Sequence, residues 1–129
     1  MGSALYKKVL VVDDEPEIIN LIKYTLDEAG FEVHSCNNGH DAWDEINLII
    51  PDVLVLDVML PGMDGHALQS KMAKYPGTKN IPIVILTSLE SARKTFELIP
   101  QVVAFLTKPF TPEVLVQAVQ SASQRNSGG

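Results

Sequence analysis

Short apolar segments and stretches of helical periodicity alternate along the whole chain, and this alternation limits the possible folds more than any other feature. Four segments are largely apolar and β-branched, and a fifth alternates between apolar and polar residues, so each predicts a strand. The predicted strands are Lys8–Val12, Phe31–Cys36, Asp52–Leu56, Ile83–Leu86 and Val102–Leu106. Strands that are almost entirely apolar must be covered on both faces, which predicts a parallel sheet between two layers of helices.

A helix is predicted after each strand. The first begins near Pro16, with Asp14 as its expected N-cap, and ends at Gly30. Its apolar residues recur every four positions, at Ile18, Ile22 and Leu26. The later helices are predicted around Ala42–Ile49, after the loop with Gly65 and through about Lys74, over Leu89–Leu98 and over Glu113–Ser123.

Five consecutive strand–helix units with right-handed crossovers predict an α/β, doubly wound, flavodoxin-like (βα)5 fold. We expect a five-stranded parallel sheet in the order 2-1-3-4-5. The domain is predicted to cover residues 5–124, followed by a disordered tail at 125–129.

Composition excludes several classes of protein. The net charge of −6 argues against a domain that grips nucleic acid by itself. The longest uninterrupted apolar run is Val102–Leu106, far short of the ~20 residues of a membrane helix, and no secretory signal is visible. The single cysteine, Cys36, cannot form an internal disulfide or a multi-cysteine metal site. We therefore expect one cytoplasmic domain with no membrane contact.

Polar residues follow the predicted strands at the edge where such folds carry their sites: Asp13 and Asp14, Asp57, Thr87, and Lys108. Three carboxylates so close together repel one another, and a divalent cation would relieve that repulsion. The available ligands are oxygens, which favours Mg²⁺. The metal and the lysine would balance the three negative charges, so the pocket could accept a phosphoryl group, with one aspartate as nucleophile.

The segments VLVVDDEP, VLVLDVMLPGMDG, IVILTS and FLTKPF occur in this order, each at a predicted strand end. Together they resemble the response-regulator receiver domain of two-component signalling, as in chemotaxis regulators, over about Lys7 to Ser123. The resemblance implies that Asp57 is the phosphoacceptor. It also implies a Mg²⁺ ion bound by Asp14, by Asp13 largely through water, by Asp57, and by the backbone carbonyl of Met59.

The resemblance further implies that Lys108 pairs with the phosphoryl group and that the Lys108–Pro109 peptide bond is cis. Thr87 and Phe105 would be the switch residues. The implied donor is a phosphohistidine of a histidine kinase or phosphotransfer protein. The output would be a change in the face formed by the fourth helix, fifth strand and fifth helix, read by a downstream effector protein or domain, without enzymatic activity on other substrates.

Each site residue also has an ordinary structural explanation. Asp14 could serve only as a helix N-cap, Thr87 only as a cap of the fourth helix, and Phe105 only as a core residue. The histidines have no metal-ligand spacing, and Cys36 and Trp43 are expected to pack.

Three other classes compete with the phosphoacceptor reading. A haloacid-dehalogenase-like phosphatase would need an acid at position 59, where this chain has methionine. A flavin or dinucleotide binder would need a glycine-rich loop after the first strand, which is absent. A degenerate receiver that acts only as a protein-interaction module stays open, because the segment from Ile99 to Ala104 departs from the family pattern and the connection after the fourth helix is short.

Overall fold

The computed structural model describes residues 6–127, with side chains through residue 124. The strands are β1 (Lys8–Val12), β2 (Glu32–Cys36), β3 (Val53–Leu56), β4 (Ile83–Thr87) and β5 (Val102–Thr107). The helices are α1 (Pro16–Glu28), α2 (Gly39–Ile49), α3 (Gly65–Met72), α4 (Arg93–Phe96) and α5 (Pro112–Ser127), and a 3-10 turn (Glu90–Ala92) precedes α4. No helix in this part of the chain is long and apolar enough to span a bilayer.

The five strands form one parallel sheet in the order β2-β1-β3-β4-β5, which confirms the predicted fold class and strand order. Successive strand residues point to opposite faces, so each strand contributes to two cores. Leu10 and Val12 pack with residues of α2, α3 and α4, whereas Val9 and Val11 pack with residues of α1 and α5. The sheet is therefore covered on both faces, as its apolar strands require.

The end of α1 shows how the sequence closes a helix. Gly30 follows the helix with φ of 96°, a left-handed conformation that glycine adopts without steric penalty. The amide of Phe31 donates to the Leu26 carbonyl and that of Gly30 to Asp27. These are the paired hydrogen bonds of a Schellman motif, and the predicted stop at Gly30 is confirmed.

The fourth helix differs most from its prediction. The sequence predicts a helix over Leu89–Leu98, but the segment holds only the 3-10 turn and the four-residue α4. Leu89 and Leu98 are 41% and 85% exposed, and only Phe96 of this segment is buried. Because most helical stability comes from packing an apolar face, a segment with one buried anchor supports little regular helix.

The remaining boundaries differ by a few residues. Helix α3 ends at Met72 rather than near Lys74, and α5 extends to Ser127, so helix continues into the segment predicted to be disordered. Gly128, Gly129 and the predicted domain start at Leu5 lie outside the described residues.

Candidate functional site

Two aspartates follow β1 at the carboxyl edge of the sheet. The amide of Asp13 donates to the Cys36 carbonyl, which continues the ladder with β2 and places the Asp13 side chain inside, 1% exposed. Its Oδ1 accepts from the Glu15 amide at 2.9 Å. Asp14 is exposed, and the N-cap of α1 is Glu15. The prediction that Asp14 caps this helix is therefore wrong: the chain needs one more residue to turn from the strand before α1 begins.

Asp57 directly follows β3 and is 5% exposed. Its amide donates to the Val12 carbonyl at 2.9 Å, and its Oδ1 accepts from the Met59 amide at 3.0 Å. The first turn of α3 comes very close to this loop: a Cβ at Gly65 would lie 2.9 Å from the Asp57 carbonyl oxygen. Glycine at position 65 is thus what lets α3 start this near the candidate acceptor.

Lys108 reaches the same edge from the residue after β5. Its backbone amide donates to the Thr87 carbonyl at 2.9 Å, and the Lys108–Pro109 peptide bond is cis, as the resemblance implies. Its side chain is only 10% exposed, and Nζ lies 2.8 Å from Asp13 Oδ2 and 3.0 Å from Asp57 Oδ2. The predicted lysine and two of the predicted carboxylates therefore form one ionic cluster.

Burial and charge act against each other in this cluster. Burial raises the pKa of Asp13. The Lys108 ammonium 2.8 Å away and the hydrogen bond from the Glu15 amide lower it, and the nearby Asp57 charge raises it, so the net pKa lies above its ordinary value. Burial lowers the pKa of Lys108, but the carboxylates of Asp13, Glu15 and Asp57 beside its ammonium outweigh that effect and raise the pKa overall. Lys108 is therefore a fixed positive charge at neutral pH, whereas burial makes the ionised form of Asp13 less favourable than it is in water.

The three aspartates fit a hard divalent cation. One carboxylate oxygen from each of Asp13, Asp14 and Asp57 lies within 4.8 Å of the other two. Within residues 6–124, Asp13 Oδ2 is buried and lacks a hydrogen bond of acceptable geometry, even though Lys108 Nζ is nearby. An under-satisfied buried carboxylate oxygen beside two others is a site for an added positive charge, and an all-oxygen donor set suits Mg²⁺. The Met59 carbonyl stays a predicted ligand.

The two predicted switch residues, Thr87 on β4 and Phe105 on β5, have side-chain contacts separate from the cluster. Thr87 is 1% exposed, and its hydroxyl accepts from the Leu89 amide at 3.2 Å. Among residues 6–124 no hydrogen bond joins Thr87 to Asp57, and the 3-10 turn has Leu89 as its N-cap, so Thr87 is not its cap. Phe105 is half-buried against the core, and the Arg93 guanidinium lies 4.6 Å from its ring centroid.

Glu15 belongs to the cluster although no sequence pattern singles it out. Its Oε1 lies 2.6 Å from Lys108 Nζ, and its side chain is 55% exposed. The one available signal is its position directly after Asp13 and Asp14 in the β1–α1 loop. A glutamate at this position is equally typical of a solvated residue at the start of a helix. Only its contact with Lys108 in the structure therefore shows that Glu15 belongs to the ionic cluster.

The residues given no role at the sequence level make local contacts away from the cluster. His34 Nε2 lies 2.8 Å from Glu32 Oε2. The Trp43 ring packs at a tilt against Tyr75, with the two centroids 5.5 Å apart, and Lys71 Nζ lies over the Trp43 ring. Burial, together with the charges of Glu45 and Asp41, raises the pKa of the Cys36 thiol to about 11, so the thiol stays protonated at neutral pH.

Comparison with known proteins identifies the family. Residues 9–120 match the family model of the response regulator receiver domain. The chain is 35% identical over 112 residues to the phosphate regulon transcriptional regulatory protein PhoB of Rhizobium meliloti, covering 85% of this chain and 49% of that protein. It is 34% identical over 121 residues to the alkaline phosphatase synthesis transcriptional regulatory protein PhoP of Bacillus subtilis, covering 93% of this chain and 50% of that protein.

Comparison with solved structures agrees with the family match from the sequence. The chemotaxis response regulator CheY4 of Vibrio cholerae matches with a TM-score of 0.82 and 32% identity, over 91% of this chain and 98% of that one. The chain belongs to the response-regulator receiver domain family of two-component signalling. It spans about half the length of the curated relatives it matches.

We predict that Asp13→Asn stabilises the metal-free domain at pH 7. A raised folded-state pKa means that Asp13 favours folding when it is protonated, below its ordinary pKa, and that this contribution is lost as pH rises through the folded-state pKa. Asparagine removes the buried charge, so urea denaturation with a chelator should show a higher midpoint than wild type, with the gap closing as pH falls toward the ordinary aspartate pKa.

Added Mg²⁺ should raise the unfolding midpoint of wild type more than that of Asp13→Asn, because only the wild type keeps all three carboxylates. Asp44→Asn removes an exposed charge on α2 and should behave as wild type in both conditions. A metal-free Asp13→Asn domain that unfolds at lower urea than wild type at pH 7 would contradict the electrostatic account.

Proposed function

We propose that this receiver domain takes a phosphoryl group onto Asp57 from a phosphohistidine of a histidine kinase or phosphotransfer protein. One observation supports the assignment of Asp57 as the acceptor. Among the clustered carboxylates, Asp57 is the one whose two oxygens each accept a hydrogen bond, Oδ1 from the Met59 amide and Oδ2 from Lys108 Nζ. A carboxylate oriented at both oxygens at the carboxyl edge of the sheet is poised as a nucleophile.

In the proposed step, an Asp57 oxygen bonds to phosphorus while the bond from phosphorus to the donor histidine nitrogen breaks. The nitrogen keeps that electron pair, and the donor leaves as neutral imidazole when its other ring nitrogen already carries a proton. Lys108 neutralises charge on the phosphoryl oxygens, since its ammonium already lies 3.0 Å from Asp57 Oδ2. When bound at Asp13, Asp14, Asp57 and the Met59 carbonyl, Mg²⁺ would supply further neutralisation of the phosphoryl charge. The Thr87 hydroxyl would donate to the attached group.

The proposed output lies on the face formed by α4, β5 and α5. Movement of Thr87 toward the phosphoryl group would free space for Phe105 to turn inward and leave its contact with Arg93. A downstream effector protein or domain would read that change as a population shift. The charge of −6 disfavours direct contact with nucleic acid, and a histidine-kinase donor would imply a cytoplasmic domain.

A phosphorylation-independent interaction module is the second candidate. The shortened α4, with Leu98 85% exposed beside it, is the observation that favours it, because it alters the face through which receivers signal. The complete carboxylate and lysine cluster favours the phosphoacceptor.

The deciding experiment is intact mass after incubation with Mg²⁺ and acetyl phosphate. Wild type should gain one phosphoryl group, and Asp57→Asn should gain none. Asp44→Asn is the matched control, because it removes an exposed aspartate on α2 and should gain as much as wild type.

A second incubation, with a histidine-phosphorylated phosphotransfer protein, tests whether the domain accepts a phosphoryl group only from a protein donor. Absence of any gain from either donor, in a folded domain whose stability does not respond to Mg²⁺, would support the interaction module instead.

We also predict slow loss of the phosphoryl group. The resemblance to receiver domains implies that Met59 and Leu89 flank the path of the hydrolytic water. Their side chains are 56% and 41% exposed and carry no polar group that could orient it. Leu89→Gln supplies such a group and should shorten the half-life several-fold, measured by intact mass after removal of the donor. Leu98→Gln makes the same change at a more exposed leucine and should leave the half-life unchanged. A wild-type half-life of seconds in Mg²⁺ would contradict the prediction.

A further inference from the structure

Glu15 occupies the N-cap position of α1 but does not cap the helix. Its backbone has extended dihedrals, φ −99° and ψ 111°, yet its side chain makes no capping hydrogen bond. Glutamate is also not among the residues that favour this position, which are serine, threonine, aspartate, asparagine and glycine. Local helix formation therefore does not explain why a glutamate stands here.

The Glu15 carboxylate instead contacts Lys108. Its Oε1 is 2.6 Å from Nζ, the shortest of the three ion pairs that Lys108 makes among the described residues. An ammonium has three N–H donors, and three carboxylate oxygens lie within 3.0 Å of this one. Two of the Lys108 N–H groups donate, one to Glu15 Oε1 and one to Asp57 Oδ2, whereas Asp13 Oδ2 lies at ion-pair distance without hydrogen-bond geometry. Glu15 therefore holds one of the two N–H groups that Lys108 uses as donors.

A phosphoryl group on Asp57 needs at least one of those donors. Asp13 and Asp57 are buried and held by backbone amides of the site, Glu15 and Met59 respectively. Glu15 is different, because its side chain is 55% exposed and its carboxylate can move into water at little cost. Of the three partners, Glu15 is the one that can be displaced.

We propose that Glu15 is a positioning residue that holds the Lys108 ammonium in the unphosphorylated domain and competes with the incoming phosphoryl group for it. This inference rests on the proposed phosphoacceptor function, and it adds that Glu15 lowers the rate at which Asp57 is phosphorylated. The Glu15 charge opposes phosphorylation in two ways: it occupies a Lys108 donor, and it adds a negative charge beside a site that an anionic donor must enter.

The test compares Glu15→Gln with Glu17→Gln. Glu17 lies in the first turn of the same helix and is exposed, but it makes no ion pair with Lys108, so its change controls for net charge. Phosphorylation rates are measured by intact mass with Mg²⁺ and acetyl phosphate at low ionic strength. Glu15→Gln should accelerate the reaction by about two- to five-fold, the range expected for a partly exposed ion pair. Glu17→Gln should stay near the wild-type rate.

Two further readouts separate positioning from a structural role. Phosphoramidate carries less negative charge than acetyl phosphate, so the acceleration in Glu15→Gln should be smaller with it, and added salt should reduce the acceleration with both donors. The Lys108 ¹⁵Nζ resonance of the metal-free domain, assigned by its loss in Lys108→Arg, should shift in Glu15→Gln and not in Glu17→Gln.

A Glu15→Gln domain that is phosphorylated at or below the wild-type rate would overturn the competition, as would an unshifted Lys108 resonance. Either result leaves the phosphoacceptor function intact if wild type still gains one phosphoryl group. Failure of wild type to be phosphorylated by both small-molecule donors and by a histidine-phosphorylated phosphotransfer protein would overturn both the function and the role of Glu15.

Discussion

The ammonium of Lys108 is the interaction on which the site depends. Three carboxylate oxygens surround it at 2.6–3.0 Å, and two belong to aspartates that are nearly inaccessible to water. Without this charge, Asp13 and Asp57 would face each other in a poorly solvated place with only the Glu15 and Met59 amides to offset their repulsion. Even with it, burial keeps the pKa of Asp13 above its ordinary value, so the cluster retains excess negative character. That excess is what a divalent cation would relieve.

The fold supplies this cluster by joining parallel strands. Residues 13 and 57 each follow a strand whose side chains are buried on both faces, and β1 and β3 are neighbours in register. Lys108 arrives from β5 at the sheet's edge and reaches across to them. The strand ends place the charges, while the two apolar layers hold the strands rigidly enough to keep carboxylates close together.

Much of this arrangement follows from the sequence. Continuous apolar strands predict a covered parallel sheet, and the chain order of Asp13, Asp57 and Lys108 at strand ends predicts that they meet. The sequence predicts the fourth helix wrongly and misses the contact of Glu15, and both failures have physical causes. Whether Leu89 and Leu98 would be covered depends on packing that periodicity does not report, and both are exposed. The Glu15 side chain takes its direction from Lys108, 93 residues away, which no local pattern can encode.

The central claim, that Asp57 is the phosphoacceptor, is tested most directly by chemical trapping. Borohydride reduces an aspartyl phosphate to homoserine with release of phosphate, and peptide mass spectrometry then locates the reduced residue. After phosphorylation in Mg²⁺, homoserine should replace aspartate at position 57 and nowhere else. Homoserine at position 13 or 14, or at no position in a domain that has gained phosphoryl mass, would contradict the account.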